Sequence, residues 1–174
     1  MKTDILEAEQ ALRELDEKND GLVIFAWSGE LDKIWPTLIL ATTSAAMGKP
    51  TTIFFTFWGL FPLIKEDVRI TGDNWMQKML SVMNHGGTEH LKLSKMNFGG
   101  MGPAMMKKLA KAHGVASPHE LLDLAKSLGV KMVPCQMTMD LLGLKREDLI
   151  DGLEEPAGAT TALLEASGAQ TLFI

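Results

Sequence analysis

Two short runs, residues 22–27 and 51–57, most constrain the fold of this 174-residue chain. The first is continuously apolar and has the length of a strand, so burial on both of its faces is predicted. The second combines phenylalanine and isoleucine with three threonines and is also predicted to be a strand. The apolar segment between them, residues 31–47, predicts a helix that ends near Gly48, since glycine commonly follows the last helical residue. A strand–helix–strand unit of this kind predicts parallel strands joined by a right-handed crossover.

The last third of the chain repeats this alternation of strands and helices. Ser117 followed by Pro118 and Glu120 predicts a helix start with a capping box. After that helix, the pattern predicts strands at residues 129–135 and 170–174, with helices at 137–142 and 156–167. The chain is therefore predicted to be an α/β protein of three α/β/α layers. Its small, mostly parallel sheet of four to five strands is Rossmann- or flavodoxin-like, and residues 91–93 are the weak candidate for the fifth strand.

We predict a single domain that spans residues 1–174. Two of its segments do not follow the alternation of strands and helices. Residues 1–20 are predicted to form an N-terminal helix, whose apolar positions over residues 4–18 share one face. Residues 60–114 are rich in methionine and glycine and predict an inserted flap with helices at 75–83 and 103–113. A connection of this length is commonly functional or mobile.

Composition excludes several classes of function. The net charge is −5 and no cluster of lysine or arginine exceeds two residues, so we expect no nucleic-acid partner. The N-terminus lacks the apolar core of a signal peptide, and the longest apolar stretch, residues 34–47, is too short for a membrane span. These patterns favour a cytoplasmic protein. A single cysteine excludes an internal disulfide and a cysteine-based zinc site within one chain.

That single cysteine, Cys135, ends a predicted strand and directly precedes a predicted helix. In α/β proteins, ligands and chemistry collect at the carboxyl ends of the strands. A thiol at the start of a helix also lies near the positive end of the helix dipole, which favours the nucleophilic thiolate. Position alone leaves the alternative open that Cys135 is a small buried hydrophobe.

No cofactor and no metal are predicted. The glycines at residues 99–102 lack the spacing of a dinucleotide fingerprint, and no phosphate-binding P-loop motif occurs. His85 and His90 are five residues apart across two glycines, which is not the spacing of a helical metal pair. Asp32 and Asp140 each begin a helix, where stabilising the helix terminus is the ordinary role of a carboxylate.

Four strings taken together resemble the DsrE-like sulfur-relay family, and especially its larger members, which carry peroxiredoxin-like or DsrE/DsrF-like labels. They are residues 25–33 (FAWSGELDK), 45–48 (AAMG), 54–59 (FFTFWG) and 135–143 (CQMTMDLLG). The resemblance covers roughly residues 21–174. It implies a three-layer α/β/α fold, a homo-oligomer, and one cysteine that carries sulfur as a persulfide near a subunit cleft. Cys135 is the matching position.

The predicted function is therefore that of a sulfur carrier or sulfurtransferase, with Cys135 as the catalytic residue. Its partners would be sulfur donor and acceptor proteins or small persulfides. The residues predicted to bind around it lie in the strings above: Ser28, Gly29, Trp58, Gln136, Thr138 and Asp140. Two alternatives stay open: a non-enzymatic, flavodoxin-like module that binds a small anionic ligand, and a one-cysteine thiol redox protein.

Overall fold

The computed structural model of the protein describes residues 20–66 and 86–174. The helices predicted at residues 4–18 and 75–83 lie outside the described residues. Four strands form one sheet in which every pairing is parallel, in the order β3-β2-β1-β4. The strands are β1 (Leu22–Ala26), β2 (Thr51–Phe55), β3 (Lys131–Pro134) and β4 (Gln170–Phe173). The parallel α/β prediction is confirmed.

The described helices follow the predicted order along the chain. They are α1 (Leu31–Ala46), α2 (Met101–Ala112), α3 (Pro118–Ser127), α4 (Gln136–Leu142) and α5 (Ala159–Ala166). Short 3₁₀ turns lie at Phe57–Leu63, Thr88–His90, Phe98–Gly100 and Arg146–Asp148. The last helix begins three residues later than its sequence pattern predicts. None of the described helices is long and apolar enough to cross a membrane.

Residues 91–93 do not form the fifth strand that was weakly predicted. Leu91 instead packs in the core, and the Lys92 carbonyl accepts a 2.7 Å hydrogen bond from the Leu31 amide. This bond satisfies one of the amides that the first turn of α1 leaves without a helical partner. The segment therefore caps the start of α1 and does not extend the sheet.

The two faces of the sheet carry cores of different size. The larger core joins β1, β2 and β3 to α1 and α3, through residues such as Ile53, Leu38 and Leu122. The smaller core joins Phe54 and Val133 to α5 on the opposite face. Helices on both faces explain why β2 is buried at all five residues, its two threonines included.

Helix α3 begins where its capping box dictates. The Ser117 hydroxyl accepts from the Glu120 amide at 3.3 Å, and the Glu120 carboxylate accepts from the Ser117 amide at 2.7 Å. The hydrogen bond from the Ser117 amide, followed by that from its hydroxyl, lowers the pKa of Glu120 below its usual 4.5. The predicted helix start is confirmed with its mechanism.

Two glycines allow the chain segments after β1 and β2 to touch. A Cβ at Gly59 would lie 2.1 Å from the Ala26 carbonyl oxygen, and one at Gly29 would lie 2.3 Å from the Trp58 carbonyl oxygen. Both obstacles are backbone atoms, which cannot rotate away as a side chain could. The tight contact holds the two strand ends together at the carboxyl edge of the sheet.

Asp32, in the first turn of α1, fastens the segment that follows Leu93. Its carboxylate accepts a 2.9 Å hydrogen bond from the Ser94 amide and a second bond from the Ser94 hydroxyl. Partial burial raises the pKa of Asp32, but the bonds from the Ser94 hydroxyl and amide outweigh it, so the pKa lies below the usual 3.8. The carboxylate therefore has a structural partner in addition to its place at the helix terminus.

Gly59→Ala is expected to lower the free energy of unfolding by about 1–3 kcal/mol, because the new methyl group must push two backbone segments apart. Urea denaturation measures the change. Gly158→Ala is the matched control. Its φ of −92° suits alanine, and no described atom lies within 4 Å of the new Cβ. The control replaces the N-cap residue of α5, where alanine is less favourable than glycine, so it should lower stability by no more than about 1 kcal/mol. Equal losses in both variants would contradict the contact.

The bond between Asp32 and Ser94 makes stability depend on acidity in a defined direction. Because the folded pKa of Asp32 lies below 3.8, its stabilising contribution is present above that pH and is lost as the pH falls through the folded pKa. In an NMR titration of the carboxyl groups, Ser94→Ala should raise the pKa of Asp32. An Asp32 pKa that does not change in the variant would show that the hydroxyl has no such effect.

Candidate functional site

Cys135 lies where β3 ends and α4 begins, at the carboxyl edge of the sheet. Its amide donates to the Phe55 carbonyl at 2.9 Å, which carries the β2–β3 ladder one residue beyond the strand. The next amide, that of Gln136, donates to the Ala157 carbonyl at 3.0 Å. The backbone around the sulfur is thus held from both sides, by the neighbouring strand and by the segment before α5.

The side chain of Cys135 is covered. Only 4% of the residue is exposed, and it packs in the smaller core with Phe54, Val133 and Ala162. Its strand-end position is the one that chemistry favours, yet its surroundings are those of a small buried hydrophobe. In this conformation the sulfur is shielded from solvent, and a reaction with another molecule requires its cover to move.

Helix α5, which packs over Cys135, makes few buried contacts. Helix α5 has eight residues, of which only Ala162 is buried. The helix also lacks a side-chain hydrogen bond at its N-cap, Gly158. Few buried apolar contacts are characteristic of segments that open at low free-energy cost. Displacement of α5 would therefore break few buried contacts.

Thr138 connects α4 to the end of β2. Its buried hydroxyl lies 3.1 Å from the Thr56 hydroxyl and accepts from the Phe57 amide at 3.1 Å. Phe57 has a φ of 46°, a left-handed conformation that costs a non-glycine residue about 1–2 kcal/mol. The hydrogen bond helps to hold this strained turn, so the Thr138 hydroxyl is engaged in structure.

Gln136 and Asp140 form an exposed pair on α4. The Gln136 side-chain amide donates to the Asp140 carboxylate at 2.7 Å. The two residues are one helical turn apart, which is the spacing at which side chains on a helix meet. They present a polar surface on the helix that Cys135 begins.

Ser28, Gly29 and Trp58 line a separate pocket of about 290 Å³ on the same edge of the sheet. The Ser28 hydroxyl donates to the Glu30 carboxylate at 2.7 Å. The apolar wall includes Trp58 and Phe61, whose ring centroids are 5.7 Å apart. The volume is near the lower end of the range for small-molecule sites.

The predicted site residues thus fall into two groups. The pocket contains three of them, and Cys135, Gln136, Thr138 and Asp140 lie outside it, around the start of α4. Thr138 bonds to the segment just before Trp58 and so connects the groups. No cluster of three potential metal ligands occurs within residues 20–66 and 86–174.

Six residues that line the pocket were not predicted as site residues from the sequence: Trp27, Glu30, Phe61, His90, Leu91 and Lys92. Trp27 and Glu30 had a detectable pattern, because they directly follow β1 and flank two predicted residues. His90 and Lys92 come from the long connection after β2, and no local periodicity marks where that connection meets the sheet.

Because α5 covers the thiol, Cys135 is expected to react with iodoacetamide more slowly in the folded protein than in the unfolded protein. Ala162→Gly should accelerate the native reaction about three- to tenfold, since it removes the buried contact and weakens the helix. Ala159→Gly, at an exposed position of the same helix, should accelerate it less. Equal acceleration by the two variants would contradict a specific role for the Ala162 contact.

Comparison with known proteins adds to this geometry. The family model described as "DsrE/DsrF/DrsH-like family" matches residues 18–174. The chain is 40% identical over 161 residues to "Uncharacterized protein YrkE" of Bacillus subtilis, covering 92% of this chain and 100% of that protein. It is 41% identical over 150 residues to "Sulfur carrier protein DsrE2" of Allochromatium vinosum, covering 84% of this chain and 92% of that protein.

The fold has a counterpart among solved structures. The crystal structure of the ychN protein from E. coli superposes with a TM-score of 0.55 at 12% identity, covering 89% of this chain and 99% of that one. At this level of identity the likeness concerns the fold alone. The family model and the two relatives extend across most of the chain. The chain belongs to the DsrE/DsrF/DrsH-like family.

Proposed function

We propose that the protein carries sulfane sulfur as a persulfide on Cys135 and transfers it between partners. A sulfur-relay role is supported by the family and by the relative named as a sulfur carrier. The observation that supports this residue is that the only sulfur nucleophile of the chain lies at the carboxyl edge of a parallel sheet. The chemistry needs no second cysteine, because the partner supplies the other sulfur.

The transfer is an exchange in two balanced steps. The Cys135 thiolate attacks the outer sulfur of a donor persulfide, the donor sulfur–sulfur bond breaks, and the donor leaves as a thiolate. An acceptor thiolate then attacks the outer sulfur of the Cys135 persulfide, and the Cys135 thiolate is released. The sulfane sulfur keeps its oxidation level throughout, so neither an oxidant nor a reductant is consumed.

The apolar surroundings of Cys135 would protect a persulfide on this residue from reaction. Phe54, Val133 and Ala162 surround the cysteine with apolar surface, which excludes water and competing thiols. The same cover prevents a partner from reaching the sulfur until α5 moves. Loading and unloading are therefore gated by the opening of α5, and the persulfide is protected between these events.

Further aspects of the proposed function concern where and with what the protein works. Its donors and acceptors are sulfur-transfer proteins or small persulfides, and the place of action is the cytoplasm. The protein works as a homo-oligomer, since a monomer would expose apolar side chains such as Phe173, Leu163 and Met137. Around Cys135, Gln136 and Asp140 present polar groups that a docking partner can contact.

The pocket of Ser28, Gly29 and Trp58 favours a second candidate function, the binding of a small anionic ligand. The basic residues Lys92 and His90 line the pocket together with Glu30, whose carboxylate already accepts from the Ser28 hydroxyl, and Trp58 contributes an aromatic wall. In that case Cys135 has no chemical role. The two functions differ in their dependence on the sulfur atom, and one variant separates them.

Cys135→Ser preserves the approximate size of the side chain and removes the sulfur nucleophile. After incubation with a small persulfide donor, the wild type should gain about 32 mass units, one sulfur atom, and a reductant should remove them. The serine variant should gain nothing, which intact-protein mass spectrometry shows directly. Urea denaturation of both proteins provides the folding control.

Equal mass gain in both proteins would overturn the assignment of the carrier function to Cys135. If neither protein gains mass, also in the more open Ala162→Gly background, the carrier function is wrong. Normal ligand binding by the serine variant would then support the binding function. The Ala162→Gly background ensures that a failure to load does not arise merely from the closed cover.

A further inference from the structure

The two edge strands of the sheet, β3 and β4, differ in whether other parts of the described chain pair with their outward backbone groups. On the outer edge of β3, the Met132 carbonyl accepts from the Glu154 amide at 2.9 Å, and the Pro134 carbonyl accepts from the Ala157 amide at 3.0 Å. The strand also carries Lys131 and Pro134, residue types that discourage pairing with another chain. The β3 edge is therefore closed by its own chain.

The opposite edge, formed by β4, is open within the described part of the chain. The amides of Gln170 and Ile174 donate, each at 2.9 Å, to carbonyls on the β1 side. Because successive residues of a strand direct their backbone groups to opposite sides, the amides and carbonyls of Thr171 and Phe173 face outward. The sequence of β4, QTLF, contains no charge and no proline to protect this edge.

A row of aromatic rings extends from this edge toward Cys135. The Trp27 and Phe25 rings each stack on Phe173 with ring centroids 6.1 Å apart, and Phe25 contacts Phe54 at 5.9 Å. Phe25 and Phe54 belong to the apolar cluster that contains Cys135. At the outer end of the row, Phe173 is 70% exposed and Trp27 is 47% exposed. The open backbone edge and this exposed aromatic surface thus meet at one residue, Phe173.

We propose that β4 pairs antiparallel with β4 of a second copy of this chain, about a twofold axis at Leu172. In this register Thr171 lies opposite Phe173 of the other copy, and each such pair exchanges two backbone hydrogen bonds. The outward groups of both residues in both copies are then satisfied. The two sheets become one sheet of eight strands, since each copy contributes the four described strands.

A second copy of this chain fits the edge for two reasons. The edge is uncharged, so a self-pair about a twofold axis brings no like charges together. A twofold axis perpendicular to the sheet also places equivalent faces of the two sheets on the same side. The exposed Phe173 rings of the copies then lie on one face as diagonal neighbours, where they can cover one another. The pairing rests on the homo-oligomer of the proposed function and does not depend on sulfur chemistry at Cys135.

Two variants test this edge in the full chain. Phe173→Lys replaces an exposed ring with a charge, and Thr171→Pro removes an outward amide that does not bond to β1. Each should raise the dissociation constant of the pair at least about tenfold, because two copies of the change enter one interface. Sedimentation over a range of concentrations measures this constant, and circular dichroism checks the fold.

Met47→Lys is the matched control, because Met47 is 68% exposed at the end of α1 and lies outside the proposed interface. It should leave the dissociation constant unchanged. Retention of the wild-type constant by both edge variants would overturn the proposal, as would a wild type that stays monomeric at high micromolar concentration.

Amide hydrogen exchange followed by NMR separates pairing between copies from cover within one chain. The Thr171 and Phe173 amides should be protected at high protein concentration and should lose protection on dilution. The Gln170 and Ile174 amides, which bond toward β1, should stay protected throughout. Protection of Thr171 and Phe173 that does not depend on concentration would assign the edge to another segment of the same chain and overturn the pairing.

Discussion

The hydrogen bond from the Cys135 amide to the Phe55 carbonyl is the constraint on which the site depends. It extends the β2–β3 ladder past the last residue of β3 and fixes the cysteine relative to the centre of the sheet. The side chain then takes the face occupied by Phe54 and Val133 and lies beneath α5. Position at the functional edge and burial in the smaller core are thus two results of one backbone register.

Burial and reactivity are compatible if the cover moves. A persulfide is attacked by any accessible thiolate, so a carrier must limit access for most of its lifetime. Under the proposed function, a cover held by the single buried residue of α5 would meet both needs, packing over the sulfur and opening for a partner. A more extensive core on this face would make the cysteine an inert structural residue, and a missing cover would leave the sulfur unprotected.

The sequence predicts those parts of the molecule that rest on local patterns. The apolar run at residues 22–27 and the threonine- and phenylalanine-rich run at residues 51–57 predict β1 and β2, and Ser117 with Glu120 predicts the start of α3. The strand-end position of Cys135 follows from the same reasoning. The contact of Lys92 with Leu31 did not follow, because it joins segments far apart in the chain. The cover by Ala162 did not follow either, since a short helix gives no indication of which strand it will pack against.

Thr138 gives the carboxyl edge a property that neither of its two regions has alone. Its hydroxyl connects the helix that Cys135 begins to the strained turn at Phe57, next to the pocket wall formed by Trp58. A displacement of α4 must therefore stretch that bond or move the turn. A ligand in the pocket that shifted this turn would therefore also act on α4 through the Thr138 hydroxyl, and the linkage would hold equally in the reverse direction.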